Sequence, residues 1–183
     1  MLRLSRCSPA WRAGTRARRQ AYPLIDGRER TMTIALNARP FEAADLPIYA
    51  AWFEDEELRR RIDPPDGFWL EHVSRTDQGN RCYCLTLVQD VDLIAVVQYD
   101  FEDFDRVSLL ISVRPDSRGR GVGRAALLRT IPELAPEVRY IDSYVEPDNL
   151  ASLALIRRMG FEPIEADIID EGFMGFRLYV DRP

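Results

Sequence analysis

Arg106-Val-Ser-Leu-Leu-Ile-Ser-Val113, Arg114-Pro115-Asp116-Ser117, Arg118-Gly119-Arg120-Gly121-Val122-Gly123-Arg124: this stretch decides the fold. Its first part is rich in β-branched residues and leucine, which suits a buried strand. Pro115 and Asp116 end that strand and begin a turn. Three glycines at alternate positions follow, and then Arg124-Ala-Ala-Leu-Leu-Arg-Thr-Ile131, helical by propensity. The pattern predicts a helix with Val122, Ala125, Ala126 and Leu128 on one broad apolar face. The unit is therefore strand, glycine-rich turn, helix N-terminus. A helix start carries unpaired N–H groups and a partial positive charge, so it attracts anions. Gly119, Gly121 and Gly123 lack a Cβ, so a diphosphate can come close to the backbone.

The spacing narrows the ligand. No Lys-Ser/Thr follows the glycines, and the chain contains no lysine, so this is not a mononucleotide-binding loop of the Walker type. The Gly-x-Gly-x-x-Gly of a dinucleotide site is missing as well. The stretch resembles the acyl-CoA signature of the GCN5-related N-acetyltransferases, Val-x-Pro-x-x-Arg-Gly-x-Gly-x-Gly/Ala. It matches at Val113, Pro115, Arg118, Gly119, Gly121 and Gly123.

Toward the C-terminus, Pro132 and Pro136 end the helix, and Tyr140 to Val145 reads as the next strand. Asp148 or Asn149 can cap the helix that follows. Its predicted stripe is Ser152, Leu155, Ile156 and Met159, and Gly160 supplies a left-handed stop. Asn149, Ser152 and Leu155, then Gly160-Phe161, resemble the same family's second signature. Phe161 to Ile169 and Phe173 to Val180 read as closing strands around the turn Asp170-Glu171-Gly172.

Toward the N-terminus, the pattern gives strands at Leu93–Phe101 and Arg81–Gln89. Short helices are expected at Phe68–Arg75, at Asp55–Arg61 and after Asp45-Leu-Pro47, where Ile48, Ala51 and Trp52 form the apolar spacing. A first strand is expected over Thr33–Asn37. The order β, helices, β, β, β, helix, β, helix, β, β describes one α/β (α+β) domain. It is the order of the acetyltransferase family, so the resemblance runs from about Met32 to Val180. It implies a mixed, mostly antiparallel central sheet with flanking helices, the acyl-CoA N-acyltransferase fold.

The resemblance implies a chemistry too. Acetyl-CoA would be the cosubstrate, with no metal, and a primary amine of a small molecule or a protein N-terminus the acceptor. Residues Arg118, Gly119, Arg120, Gly121, Val122, Gly123 and Arg124, with Asn149 and Ser152, are expected to hold CoA. A backbone N–H near Ile111 or Val113 would hold the acetyl carbonyl and stabilise the oxyanion. The chain departs from the family twice. The position that often carries a glutamate base is Ser108, and the usual tyrosine position is Ile156. Substitutes are Tyr99, Asp100 and Glu146. If Phe101 pairs with Arg106 across the 102–105 turn, Tyr99 lies opposite Ser108 on one face. The alternative reading is a CoA-binding regulatory or sensor domain without catalysis.

Composition bounds the rest. The chain has 183 residues, enough for one domain with a core. Residues 1–31 hold eight arginines against Asp26 and Glu29, a net of +6. Residues 32–183 hold 17 arginines and 28 acids, a net of −11. That acidic body argues against nucleic acid and suits a cationic acceptor such as an amine. No apolar run approaches a membrane span. Cys82 and Cys84 share a face and read as buried thiols in a reducing cytoplasm, and His72, the only histidine, reads as a helix-surface or packing residue. A monomer or homodimer is expected. The basic leader 1–31 lacks periodicity and an apolar core. It reads as a disordered tail, or an extension ahead of a start at Met32, in preference to a transit peptide or nucleic-acid arm. Removing residues 1–31 should therefore leave the melting temperature and CoA affinity of residues 32–183 unchanged. A drop in either, by thermal melts and calorimetry, would show that the leader packs on the domain.

Overall fold

The computed structural model describes residues 34–87, 91–164 and 172–180. The leader 1–31, Thr33 of the expected first strand, the outer part of the Phe161–Ile169 strand and the Asp170-Glu171 turn lie outside them. Among the described residues, seven strands form one sheet: β1 (Leu36–Pro40), β2 (Arg81–Leu87), β3 (Leu93–Asp103), β4 (Arg106–Val113), β5 (Tyr140–Val145), β6 (Glu162–Ile164) and β7 (Met174–Tyr179), in spatial order β1-β2-β3-β4-β5-β7-β6. Only β4 and β5 run parallel. The helices are α1 (Leu46–Ala51), α2 (Glu56–Arg61), α3 (Gly67–Val73), α4 (Val122–Thr130) and α5 (Leu150–Arg158). This is the expected mixed, mostly antiparallel sheet with flanking helices.

Side-chain alternation divides the sheet into two faces. On one face, α4 and α5 pack through Val122, Ala126, Leu127, Leu153 and Ile156 against Val97, Tyr99, Val107, Leu109 and Ile141. On the other, α1 to α3 bring Tyr49, Trp52, Phe53, Leu58 and Val73 over Cys82, Cys84 and Val96. Tyr49 has aromatic contacts with Phe41, Trp52, Phe53 and Trp69, with ring centroids 5.3–6.0 Å apart. This second layer covers the β1–β4 half. Tyr144 and Tyr179, on the same face of β5 and β7, are nearly half exposed.

Local details differ from the periodicity. In α1 the buried positions are Tyr49 and, just beyond it, Trp52 and Phe53, while Ile48 is exposed. In α4 the buried face is Val122, Ala126, Leu127 and Thr130, and Leu128 is exposed. In α5 it is Leu153 and Ile156, with Met159 just after, and Ser152 lies on the flank. Short helices hold too few residues for a stripe to fix their rotation, so the partner surface decides. Asp45 does not cap α1 with its side chain. It takes two 2.6 Å hydrogen bonds from Arg39 and one of 2.9 Å from Glu42 N–H.

The hairpin between β3 and β4 is the largest correction. The register runs Ala95↔Val113, Tyr99↔Leu109, Asp100↔Ser108 and Phe101↔Val107, then shifts by a bulge to Asp103↔Arg106. The turn therefore holds only Phe104 and Asp105. A one-residue slip sends every side chain to the other face. Asp100 lies opposite Ser108, and Tyr99 points to the α4 face.

At the centre, Asp142 of β5 is 1% exposed and accepts from Arg177 Nε and Nη2, 2.6 Å each. Arg106 Nε stands 3.9 Å away, and the Arg177 guanidinium lies 5.2 Å from the Tyr140 ring centroid. Removing one partner of such a pair leaves the other charge desolvated and unmatched. Asp142→Ala should cost about 3 kcal/mol of stability, read from the midpoint of urea unfolding at constant slope.

Candidate active site

The parallel β4–β5 ladder lasts three pairs, Arg106↔Tyr140, Val107↔Ile141 and Ser108↔Asp142. Beyond it the strands part, β4 continuing to Val113 and β5 to Val145. Arg114 N–H donates to Ile94 O at 2.9 Å on the β3 side. Backbone groups alternate along an antiparallel strand, so Leu109, Ile111 and Val113 turn N–H and C=O toward the gap. The expected Ile111 and Val113 donors thus face an open wedge.

The glycine turn closes the wide end of that wedge. Gly119 (φ 73°) and Gly121 (φ 82°) are left-handed, a conformation open to glycine at little cost. Gly121 is the N-cap of α4, and the first helical bond there is Ala125 N–H to Gly121 O, 3.1 Å. The N–H groups of Val122, Gly123 and Arg124 come before it and have no carbonyl a turn back to bind. Arg120 and Arg124 are exposed beside them. This end can cradle a diphosphate through backbone donors and two guanidinium groups.

Two of the expected CoA residues have another employment. Arg118 pairs with Asp55, the N-cap of α2, at 2.9 Å. Asn149 caps α5, accepting from Ser152 N–H at 3.1 Å. Gly123 also differs from the sequence reading. A Cβ there would meet Leu155 Cδ2 at 3.1 Å, with Val113 and Ile111 behind it, so this glycine permits close approach of α4 to α5 and β4. Ile156, 2% exposed, is part of the core and offers no hydroxyl.

The three substitute acid–base candidates separate. Tyr99 is fully buried with its hydroxyl 2.9 Å from Thr130 Oγ1 under α4, so it is removed from the wedge. Glu146 accepts from Arg61, which also binds Asp148 and Glu57, and α2 is thereby fastened to the loop after β5. Hydrogen bonds from Arg61 and Arg60 hold the Asp148 carboxyl down at about 2. Asp100 remains. It lies on the α3 face in one row with Ser108 and Asp142, and its partners are His72 and Gln98.

Sequence reading missed three groups. His72 Nε2 is 2.8 Å from Asp100 Oδ1. Tyr49 OH lies 2.9 Å from Ser112 Oγ on the wedge strand, and burial pushes its phenol up, so it stays protonated. The Asp142–Arg177 pair fills the vertex. None carries a local motif, because each joins residues far apart in sequence: α3 to β3, α1 to β4 and β5 to β7. Cys82 and Cys84 are free and buried, and burial pushes both thiols up, away from nucleophilic use. No cluster suited to a metal ion occurs among the described residues, and no helix among them is long and apolar enough to cross a membrane.

The comparisons with known proteins agree with this geometry. The model of the acetyltransferase (GNAT) family matches residues 40–161. The chain belongs to that family. A mycothiol acetyltransferase from Kineococcus radiotolerans is 30% identical over 147 residues, 80% of this chain and 43% of that protein. The chain spans less than half the length of that relative and of two further mycothiol acetyltransferases. Among solved structures, an acetyltransferase from Thermus thermophilus superposes with a TM-score of 0.65 at 20% identity, covering 81% of this chain and 99% of that one. Spermidine N-acetyltransferase from Vibrio cholerae, solved with CoA and spermine, gives 0.60 at 21%, covering 79% and 94%. The family uses acetyl-CoA as acetyl donor, and the open wedge with its glycine-capped helix fits that molecule.

Gly121→Val should abolish the rise in melting temperature induced by CoA, because a β-branched residue resists φ 82° and crowds the cradle. Gly123→Val should instead destabilise the free protein by about 1–3 kcal/mol through overpacking against Leu155, and so lower its melting point. Differential scanning fluorimetry with and without CoA separates the two.

Proposed function

We propose that the protein transfers the acetyl group of acetyl-CoA to a primary amine that reaches the thioester from the α1–α3 face. The observation that carries this is the wedge after Ser108 and Asp142, which leaves the inward N–H groups of Ile111 and Val113 without a strand partner. Donors fixed in advance at an oxyanion need no reorganisation as charge develops, which favours direct attack. The cradle of Gly119 to Arg124 would hold the diphosphate, and the chain between would lie along β4. Attack forms the C–N bond and breaks the C–S bond, and sulfur leaves with the electron pair. Ile156 supplies no acid, but a thiolate is a weakly basic leaving group and takes a proton readily from water or the attacking nitrogen.

The acceptor side favours cations. It presents Asp100 and the exposed Tyr144, and residues 32–183 as a whole carry a net charge of −11. Similarity to mycothiol acetyltransferases favours a small molecule over a protein N-terminus. A panel of primary amines, including the acceptor of those enzymes, spermidine and an aminoglycoside, should yield free thiol from acetyl-CoA with at least one member. The checking measurement is thiol release with and without amine. Tight CoA binding with no release across the panel would instead mark a CoA-binding sensor without catalysis.

A further inference from the structure

Resting on the transfer to an amine proposed above, we propose that His72 is the general base, with Asp100 as its positioning residue. The orientation of this pair follows from a chain of hydrogen bonds that admits one assignment. An indole N–H can only donate. Trp69 Nε1 of α3 donates to Gln98 Oε1 at 3.0 Å, which fixes the Gln98 amide. The Gln98 Nε2 group then faces Asp100 and donates to Oδ2 at 2.7 Å. The other carboxylate oxygen, Oδ1, accepts from His72 Nε2 at 2.8 Å. An imidazole that carries its proton on Nε2 keeps a lone pair on Nδ1, which is the basic nitrogen.

The surroundings hold this pair in place. Asn80, 4% exposed, donates from Nδ2 to His72 O at 3.1 Å and accepts Phe101 N–H at 3.0 Å. It ties the end of α3 to the strand position beside Asp100. Asp100 stands opposite Ser108, the last residue of β4 to pair with β5 before the wedge opens. Cross-strand neighbours lie about 5 Å apart at Cβ, so the His–Asp pair sits within one side chain, or one water, of an amine at the wedge.

The other acids near the wedge are neutralised by arginine: Asp142 by Arg177, Glu146 and Asp148 by Arg61, and Asp55 by Arg118. Asp100 has no arginine partner among the described residues. Its charge is therefore directed to the imidazole, which is 48% exposed on the open face.

The step balances without an added reagent. An alkylammonium gives one proton to His72 Nδ1, and the neutral nitrogen attacks the acetyl carbonyl. The C–N bond forms, the C–S bond breaks, and the thiolate accepts the second nitrogen proton. The exposed imidazolium returns its proton to solvent. The products are amide, free thiol and one released proton.

The test uses the full chain, acetyl-CoA and the fastest amine of the panel. His72→Gln should lower kcat about 10²–10⁴-fold while the CoA-induced melting shift stays that of the wild type. His72→Ala should fall equally and recover part of its rate with added imidazole, a rescue that a packing role would not show. Asp100→Asn should lose less than His72→Gln, since the base remains and only its orientation suffers. Turnover by His72→Gln within threefold of wild type overturns the assignment. A larger loss in Asp100→Asn than in His72→Gln overturns it as well, and makes Asp100 the base. Absence of turnover by the wild-type chain with every amine overturns the transferase reading itself, and this assignment with it.

Discussion

The pairing of β4 with β5 stops after three residues, and the site is built around that stop. A buried N–H or C=O without a partner costs free energy, so a sheet normally pairs its strands along their length. Here the inward backbone of Ile111 and Val113 has no neighbouring strand. The vertex is held by the buried Asp142 carboxylate, doubly bonded to Arg177 and approached by Arg106. That cluster joins β4, β5 and β7 where they still touch. Beyond it, the two strands are free to diverge, and a ligand with carbonyl and amide groups can satisfy the edge that β5 leaves bare.

The two sides of the opening are linked again on the outside. The turn after β4 reaches α2 through Arg118 and Asp55, and the loop after β5 reaches α2 through Arg61, Glu146 and Asp148. One six-residue helix thus spans both banks. Its own sequence supplies the means: Asp55 caps its start, and arginines occupy its last turn, where the helix dipole favours cations. Arg61 is the most buried member of these pairs, and its carboxylate partners are more exposed. The consequence of the pairs is geometric, since they set α2 against the wedge while leaving Asp100 and His72 outside the network.

Much of the fold was legible because it rests on local signals. Arg106–Val113, the glycine turn, Tyr140–Val145 and the cap at Asn149 are each specified by residues within a few positions of one another. The glycine turn on which the CoA-binding expectation rests is local in the same way, although Gly123 packs against Leu155 and Arg118 pairs with Asp55. The face proposed for the acceptor was not legible. Its parts come from α1, α3, β3, β4, β5 and β7, and no spacing in the chain relates His72 to Asp100 or Asp142 to Arg177. Short helices compound the difficulty: α1 offers six residues, and contact with the sheet, not periodicity, turned Tyr49 inward and Ile48 outward.

The bulge in the β3–β4 hairpin shows how little separates two different sites. With a four-residue turn, Tyr99 would stand opposite Ser108, and a phenol would occupy the acceptor face. The two-residue turn at Phe104-Asp105 and the shift between Phe101 and Asp103 put Asp100 there instead. Tyr99 is driven under α4, where its ring meets Tyr83 and its hydroxyl meets Thr130. The same slip brings Asp100 beneath α3, within reach of a histidine on that helix. A carboxylate opposite Ser108 alone would lie low on the sheet. Joined to an imidazole that stands off the sheet on α3, it can influence a proton above the strand. A single extra residue in β3 therefore decides which side chain stands opposite Ser108.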